Sequence, residues 1–375
     1  MQSSTHKMHA SPPAIEHIAA RRIPGLDGLR ALAVIAVVWH HAHPGYTGFP
    51  ISRNGFLGVD VFFVLSGFLI TTLLLQEERS TGGISLIGFY LRRSLRIFPL
   101  YYAVLLLMIL YFTLTAKSSN AGIFFQELPW HVTYLSNWIS LKSMMAITWS
   151  LATEEQFYLA WPPLFAWLGV RAVWLILVFL ALNQGINFGL FDDFLYRNGF
   201  PVQSLPLLQI TFTPILLGVV AAFWIQTKSF ESLKSGLKKW MLPLMTMIAL
   251  LAANIDGDIR GWPRLLFHIS IAILVVLVVV SPKSLTVKIL NWKLLTHIGT
   301  VSYGIYLFHM LVLYVIHQVT GAYMLNHPTL IFYSTMIFCT GLATFSYRIF
   351  ELPVMSLKSR FLRSAGASYV GAKVV

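Results

Sequence analysis

The sequence predicts an all-α, polytopic membrane protein of about ten transmembrane helices. Hydrophobic residues make up 57% of the 375 positions and charged residues only 11%, whereas about a quarter of a soluble domain is charged. Mean hydropathy is +0.70. Apolar stretches that cross or nearly cross a bilayer follow one another along the chain, and the cations between them fall unevenly on the two sides.

In order, the apolar stretches run over 23–42, 56–75, 97–115, 144–168 and 172–190, then 205–225, 240–253, 265–280, 298–319 and 330–350. The seventh is the shortest. Residues 1–21 are polar, with Ser11-Pro12-Pro13, and read as a loose cytoplasmic tail. Residues 22–353 read as one membrane domain and 354–375 as a second cytoplasmic tail. Arg21-Arg22 resemble the start of a signal peptide, but His40, His41 and His43 occupy the place of a small-residue cleavage site, so the first span is read as retained. With Cys339 as the single cysteine, the chain can form no internal disulfide.

The formal net charge of +13 raises the question of nucleic acid, and the distribution answers it. With a cytoplasmic N-terminus, Arg53, Lys117, Lys142, Arg197, Arg260 and Arg264 lie outside and Arg30 lies in the membrane. The other 20 of the 27 cations lie inside. That asymmetry follows the positive-inside rule, so the basic charge reflects topology and anionic membrane lipid, with no nucleic-acid partner.

Ionisable groups inside such spans are costly and mark function. Leu26-Asp27-Gly28-Leu29-Arg30 leads into the first span, which ends at His40-His41. The step from Arg30 to His41 is about 16 Å along a helix and returns to nearly the same face. One stripe thus holds a cation near one membrane surface and a titratable base near the other. Asp60, in Gly58-Val59-Asp60-Val61-Phe62-Phe63, starts the second span on the His41 side. It either orients the His41 ring, as carboxylates do in hydrolase triads, or caps its helix. Ser66-Gly67 reads as a close-packing site between helices. Glu154 and Glu155 are adjacent within the fourth span and point about 100° apart, so they serve different partners. Arg93 and Arg96 share a helical face at the cytoplasmic side, where two guanidinium forks suit phosphate oxygens or simply anchor the span. His309 is an intramembrane polar group in Ser302-Tyr303-Gly304-Ile305-Tyr306-Leu307-Phe308-His309. The histidines at 40, 41 and 43 have no carboxylate or cysteine cluster beside them, and no metal is expected.

Taken together, these segments resemble the signatures of the bacterial acyltransferase 3 family. The resemblance runs through Leu26 to Arg30 with His41, Gly58 to Phe68, Phe89-Tyr90-Leu91-Arg92-Arg93-Ser94-Leu95-Arg96-Ile97-Phe98-Pro99 and Trp149 to Tyr158. It continues with Ser302 to His309 and Phe350-Glu351-Leu352-Pro353. It implies an integral O-acyltransferase of the bacterial inner (cytoplasmic) membrane. Such an enzyme moves an acyl group, commonly acetyl, from cytoplasmic acyl-CoA to a hydroxyl of an extracytoplasmic or lipid-linked glycan. Some members act on small molecules such as macrolides.

By motif position His41 matches the family's essential histidine, Arg30 its first-span arginine, and Arg93 and Arg96 the paired arginines that engage the donor; Arg30, at the same end of the stripe, is expected to join them in binding it. Asp60, Glu154 and Glu155 complete the expected catalytic set, with Asp60 competing with the two glutamates to fix the His41 tautomer. Direct transfer and an acyl-histidine relay both remain open. His40 doubles the histidine, so the assignment to His41 rests on spacing. The periplasmic hydrolase-like domain of longer relatives is not present in the sequence, so transfer is expected to finish in the membrane domain or on a separate periplasmic partner. A transporter or flippase using the same acids and histidines as a proton relay is the competing class.

Overall fold

A computed structural model describes residues 23–42, 54–115, 119–199, 212–234, 236–238, 240–255, 260–321 and 327–357. The expected tail 1–21 and nearly all of 354–375 lie outside these residues, as do His43 and positions 205–211 of the sixth stretch. Among the described residues all regular structure is helical.

The helices are α1 Leu26–Ala42, α2 Gly58–Thr81, α3 Leu86–Leu114, α4 Ser119–Val132, α5 Thr148–Leu168 and α6 Ala172–Asn187. Then come α7 Asp192–Arg197, α8 Thr213–Trp224, α9 Lys228–Lys234, α10 Met241–Ala253 and α11 Trp262–Val280. The chain continues through α12 Leu285–Leu290, α13 Lys293–Thr300, α14 Ser302–Thr320, α15 Pro328–Ser346 and α16 Leu352–Ser356. Each of the ten apolar stretches holds a helix. Among the described residues six helical runs are long and apolar enough to cross a membrane, or seven if α8 and α9, bent by 84°, form one span. Two expected spans merge in the run Met144–Asn187, where a 3-10 turn over Gly169–Arg171 joins α5 to α6. The seventh stretch yields only the 13-residue α10, about 20 Å long at the helical rise.

Lipid-facing apolar surface is plain on α6, where Trp174, Val178, Phe179 and Leu182 are exposed. Inward, α1 is the hub and packs on α2, α13, α14 and α15. Glycines bring backbones together. A Cβ on Gly67 would lie 2.0 Å from the Ile215 carbonyl oxygen, and one on Gly218 would lie 2.2 Å from that of Val64. The α2–α8 crossing therefore bears out the packing expectation for Ser66-Gly67, since membrane helices approach closely through small residues.

Two irregularities shape the interior. Pro99 within α3 cannot donate to the Leu95 carbonyl, which frees an acceptor in the turn that carries Arg93 and Arg96. A single π turn, Tyr347–Glu351, links α15 to α16. The short helix α4 lies in the interval between the third and fourth stretches, outside every apolar stretch that predicts a helix.

Candidate active site

Helix α1 runs unbroken from Asp27 to His41, so the Arg30 stripe exists as a rigid rod. Arg30 donates to Asp27 at 2.9 Å, which occupies part of its fork. Across from it, α3 supplies Arg93 and Arg96 and α5 supplies Glu154 and Glu155. Arg93 lies within electrostatic reach of both glutamates, and Arg30 within reach of Glu154 and Arg96. Neither Arg93 nor Arg96 forms an ion pair among the described residues. Arg92 turns away and pairs with Glu77 at 3.3 Å. Arg93 is half-buried and Arg96 exposed, so two guanidinium forks remain open to an anionic ligand.

The glutamates behave differently, as their angular separation predicts. Glu154 accepts from the Ser66 hydroxyl at 2.8 Å and from the Tyr158 hydroxyl at 3.1 Å. Tyr158 also reaches Ser66 Oγ at 2.9 Å, closing a triangle. The Arg93 guanidinium lies 4.7 Å above the Tyr158 ring, a cation–π contact that fixes the fork over the triangle. Glu155 instead sits within electrostatic reach of the aromatic group Tyr102, Tyr134 and Tyr303. Tyr134 adopts a left-handed backbone, φ 55°, and stacks on Tyr101 with ring centroids 4.4 Å apart. Its carbonyl accepts from Gln156 at 2.9 Å, and Gln156 is tied to Asn137 at 2.8 Å. Such over-determination holds a strained residue in place.

At the opposite end of α1 the His41 Nδ1–H donates to the Val37 carbonyl at 2.9 Å. A carbonyl can only accept, so this bond sets the tautomer and leaves Nε2 with its lone pair, the form that a general base needs. The expected partners are corrected here. Glu154 is taken by Ser66 and Tyr158, and neither glutamate orients the ring. Asp60 is turned to the other side of α2. Its Oδ2 accepts from His268 Nε2 at 2.8 Å and from Arg264 at 3.5 Å, all three being buried. The signal was present in the sequence, since Arg264 and His268 stand four apart on one face of α11. Arg264 lies one residue before the apolar stretch 265–280, so the pair does not stand out as one buried face. The His41 ring instead packs on His309, with centroids 4.9 Å apart, and edge-on against His40 at 5.2 Å. No cluster of metal-ligating side chains occurs among the described residues.

Outside the spans, α4 is fastened to the start of α5. Glu127 accepts from the backbone of Lys142 and Ser143 at 2.6 and 3.2 Å, and His131 Nδ1 lies 2.8 Å from Thr148 Oγ1. Burial lowers the His131 pKa against the opposing pull of Glu127.

Comparison with known proteins places this arrangement in context. The family model described as an acyltransferase domain matches residues 23–348. The peptidoglycan O-acetyltransferase OatA of Listeria monocytogenes is 31% identical over 313 residues, covering 76% of this chain and 49% of that protein. The O-acetyltransferase OatA of Staphylococcus aureus is 32% identical over 360 residues, covering 89% of this chain and 57% of that protein. The chain thus spans about half the length of the curated relatives it matches. No solved structure matches.

Proposed function

This chain belongs to the acyltransferase family defined by that domain, and from that premise we propose that it is a membrane O-acetyltransferase acting on a glycan hydroxyl. The observation that carries the reading is the His41 Nδ1–Val37 hydrogen bond, which leaves Nε2 as a base at the far end of the Arg30 stripe. The donor is acyl-CoA, most simply acetyl-CoA, taken from the cytoplasmic side. Its phosphates engage the open forks of Arg93 and Arg96, with Arg30 a weaker contributor because Asp27 already holds it.

In the proposed reaction His41 Nε2 takes the proton of the acceptor hydroxyl as its oxygen attacks the thioester carbonyl. A C–O bond forms, the C–S bond breaks, and the departing CoA sulfur takes the proton back. The same lone pair would be the nucleophile in a relay through acyl-histidine, which trapping of labelled enzyme separates from direct transfer. Glu154 and Glu155 stay near the arginines, where they position Arg93 and the donor.

The acceptor proposed first is peptidoglycan, from the named substrate of the Listeria relative, with other extracytoplasmic or lipid-linked saccharides next. Delivery occurs at the outer end of the membrane domain or through a separate periplasmic protein. The setting is the bacterial inner membrane, with both termini cytoplasmic, in line with the positive-inside count.

The deciding experiment is acetyl-CoA turnover by the purified, detergent-solubilised protein beside His41→Ala and Arg93→Ala. Release of CoA by the wild type and not by His41→Ala supports the enzyme. If acetyl-CoA is not consumed even with glycan supplied, a transporter using the same groups as a proton relay takes its place.

A further inference from the structure

His309 is wholly buried, and its Nδ1–H donates to the Tyr306 carbonyl at 2.5 Å. The ring therefore has the same tautomer as His41, set by the same device, a carbonyl of its own helix. Its Nε2 is buried and has no hydrogen-bond partner among the described residues, a rare state for a native polar atom. The ring lies against His41 with the planes 59° apart. On its other side Tyr306 packs at 5.5 Å, its hydroxyl already committed to Ile147 at 2.9 Å and Ser150 at 2.6 Å. Neither histidine can donate to the other through Nε2 while both rings are neutral. An added proton is what would join them.

We propose that His309 is a positioning residue that shares the proton His41 removes from the acceptor hydroxyl. The inference rests on the reading of His41 as base. When the hydroxyl O–H breaks, the proton forms an Nε2–H bond on His41, and His309 Nε2 accepts a hydrogen bond from the resulting imidazolium. The orphaned acceptor gains its partner at the moment positive charge appears, so the interaction is stronger in the transition state than in the resting site. The proton then passes to the CoA sulfur, and the pair returns to two neutral rings.

CoA release by the full chain, with kcat and KM for acetyl-CoA measured separately, tests this in His309→Phe, His309→Gln and His309→Met. A hydrogen bond to a charged group predicts a fall in kcat of about ten- to a hundredfold in His309→Phe, with KM unchanged. His309→Gln, whose amide oxygen accepts, regains a large part of that loss. His309→Met, flexible and apolar, behaves like Phe and replaces it if the Phe variant does not fold. Wild-type kcat in His309→Phe or His309→Met overturns the proposal. So does a glutamine variant no better than these two, or a defect confined to KM. An active His41→Ala overturns the underlying base reading, whereas an inactive His41→Ala beside fully active His309 variants overturns the histidine pair alone.

Discussion

The Ser66 hydroxyl donates to Glu154 Oε1 at 2.8 Å, joining α2 to the carboxylate beneath Arg93. Hydrogen bonds to charged groups contribute about 1.5–3 kcal/mol. Ser66→Ala should therefore raise KM for acetyl-CoA about tenfold, while Glu154→Ala, which also disturbs Tyr158 and Arg93, should raise it further. CoA-release assays on the two variants and the double variant check this. Additive losses would show that the two residues act separately.

Asp60 is expected to matter for stability rather than chemistry. Removing it takes away the buried carboxylate that Arg264 and His268 share, and breaking a buried pair costs about 3–5 kcal/mol. Asp60→Ala should melt markedly lower in detergent while the surviving folded protein keeps near-normal turnover. An unaltered melt with lost turnover would return Asp60 to the catalytic set.

Arg93 is held by the Tyr158 ring as well as by charge, so lysine cannot replace it. Arg93→Lys and Arg96→Ala should each raise KM for acetyl-CoA about tenfold or more, with the lysine variant recovering little. The ratio should shrink for a donor lacking phosphates, such as an acetyl-pantetheine thioester. Equal defects on both donors would place these arginines away from the phosphates.

Outside the membrane, Arg260 binds Asp192 at 2.9 Å and holds its carboxyl below the ordinary carboxylate range. A carboxylate with a lowered folded pKa adds stability above its unfolded value near 3.9, and loses it as pH falls through the folded value. The pair is partly exposed, so its contribution is within about 1 kcal/mol and shrinks with salt. The protection factor of the α7 amides, with the intrinsic pH dependence of exchange divided out, should stay constant from pH 7 to 5 and fall only below about pH 4. In Arg260→Gln exchange should be faster at neutral pH and lose that acid-induced step.

Much of this was legible in the sequence. The Arg30–His41 stripe, the Arg93–Arg96 face and the divergence of Glu154 from Glu155 all follow from helical periodicity within one segment, and each has its counterpart in the structure. Partner choice was not legible. Whether Asp60 meets His41 or His268 depends on which side of α2 faces α11, and nothing local to either segment encodes that. Tyr158 was within reach of the same reasoning, since it stands four residues from Glu154. Ser66 could be read as a packing residue, as it partly is, but its bond to Glu154 needs the α2–α5 contact. The group that orients His41 is the Val37 carbonyl, a backbone acceptor that every residue carries and that no side-chain pattern marks.

The π turn at Tyr347–Glu351 amounts to a one-residue insertion in a helix otherwise of α period. It advances the angular phase of everything after it, bringing Glu351 to Ser346 at 3.3 Å and within electrostatic reach of Arg96. The segment should consequently accept changes of side chain far better than changes of length. Deleting a single residue there would restore ordinary winding and swing the Glu351 carboxylate off the arginine recess, uncoupling the end of the last long helix from the donor end of the first.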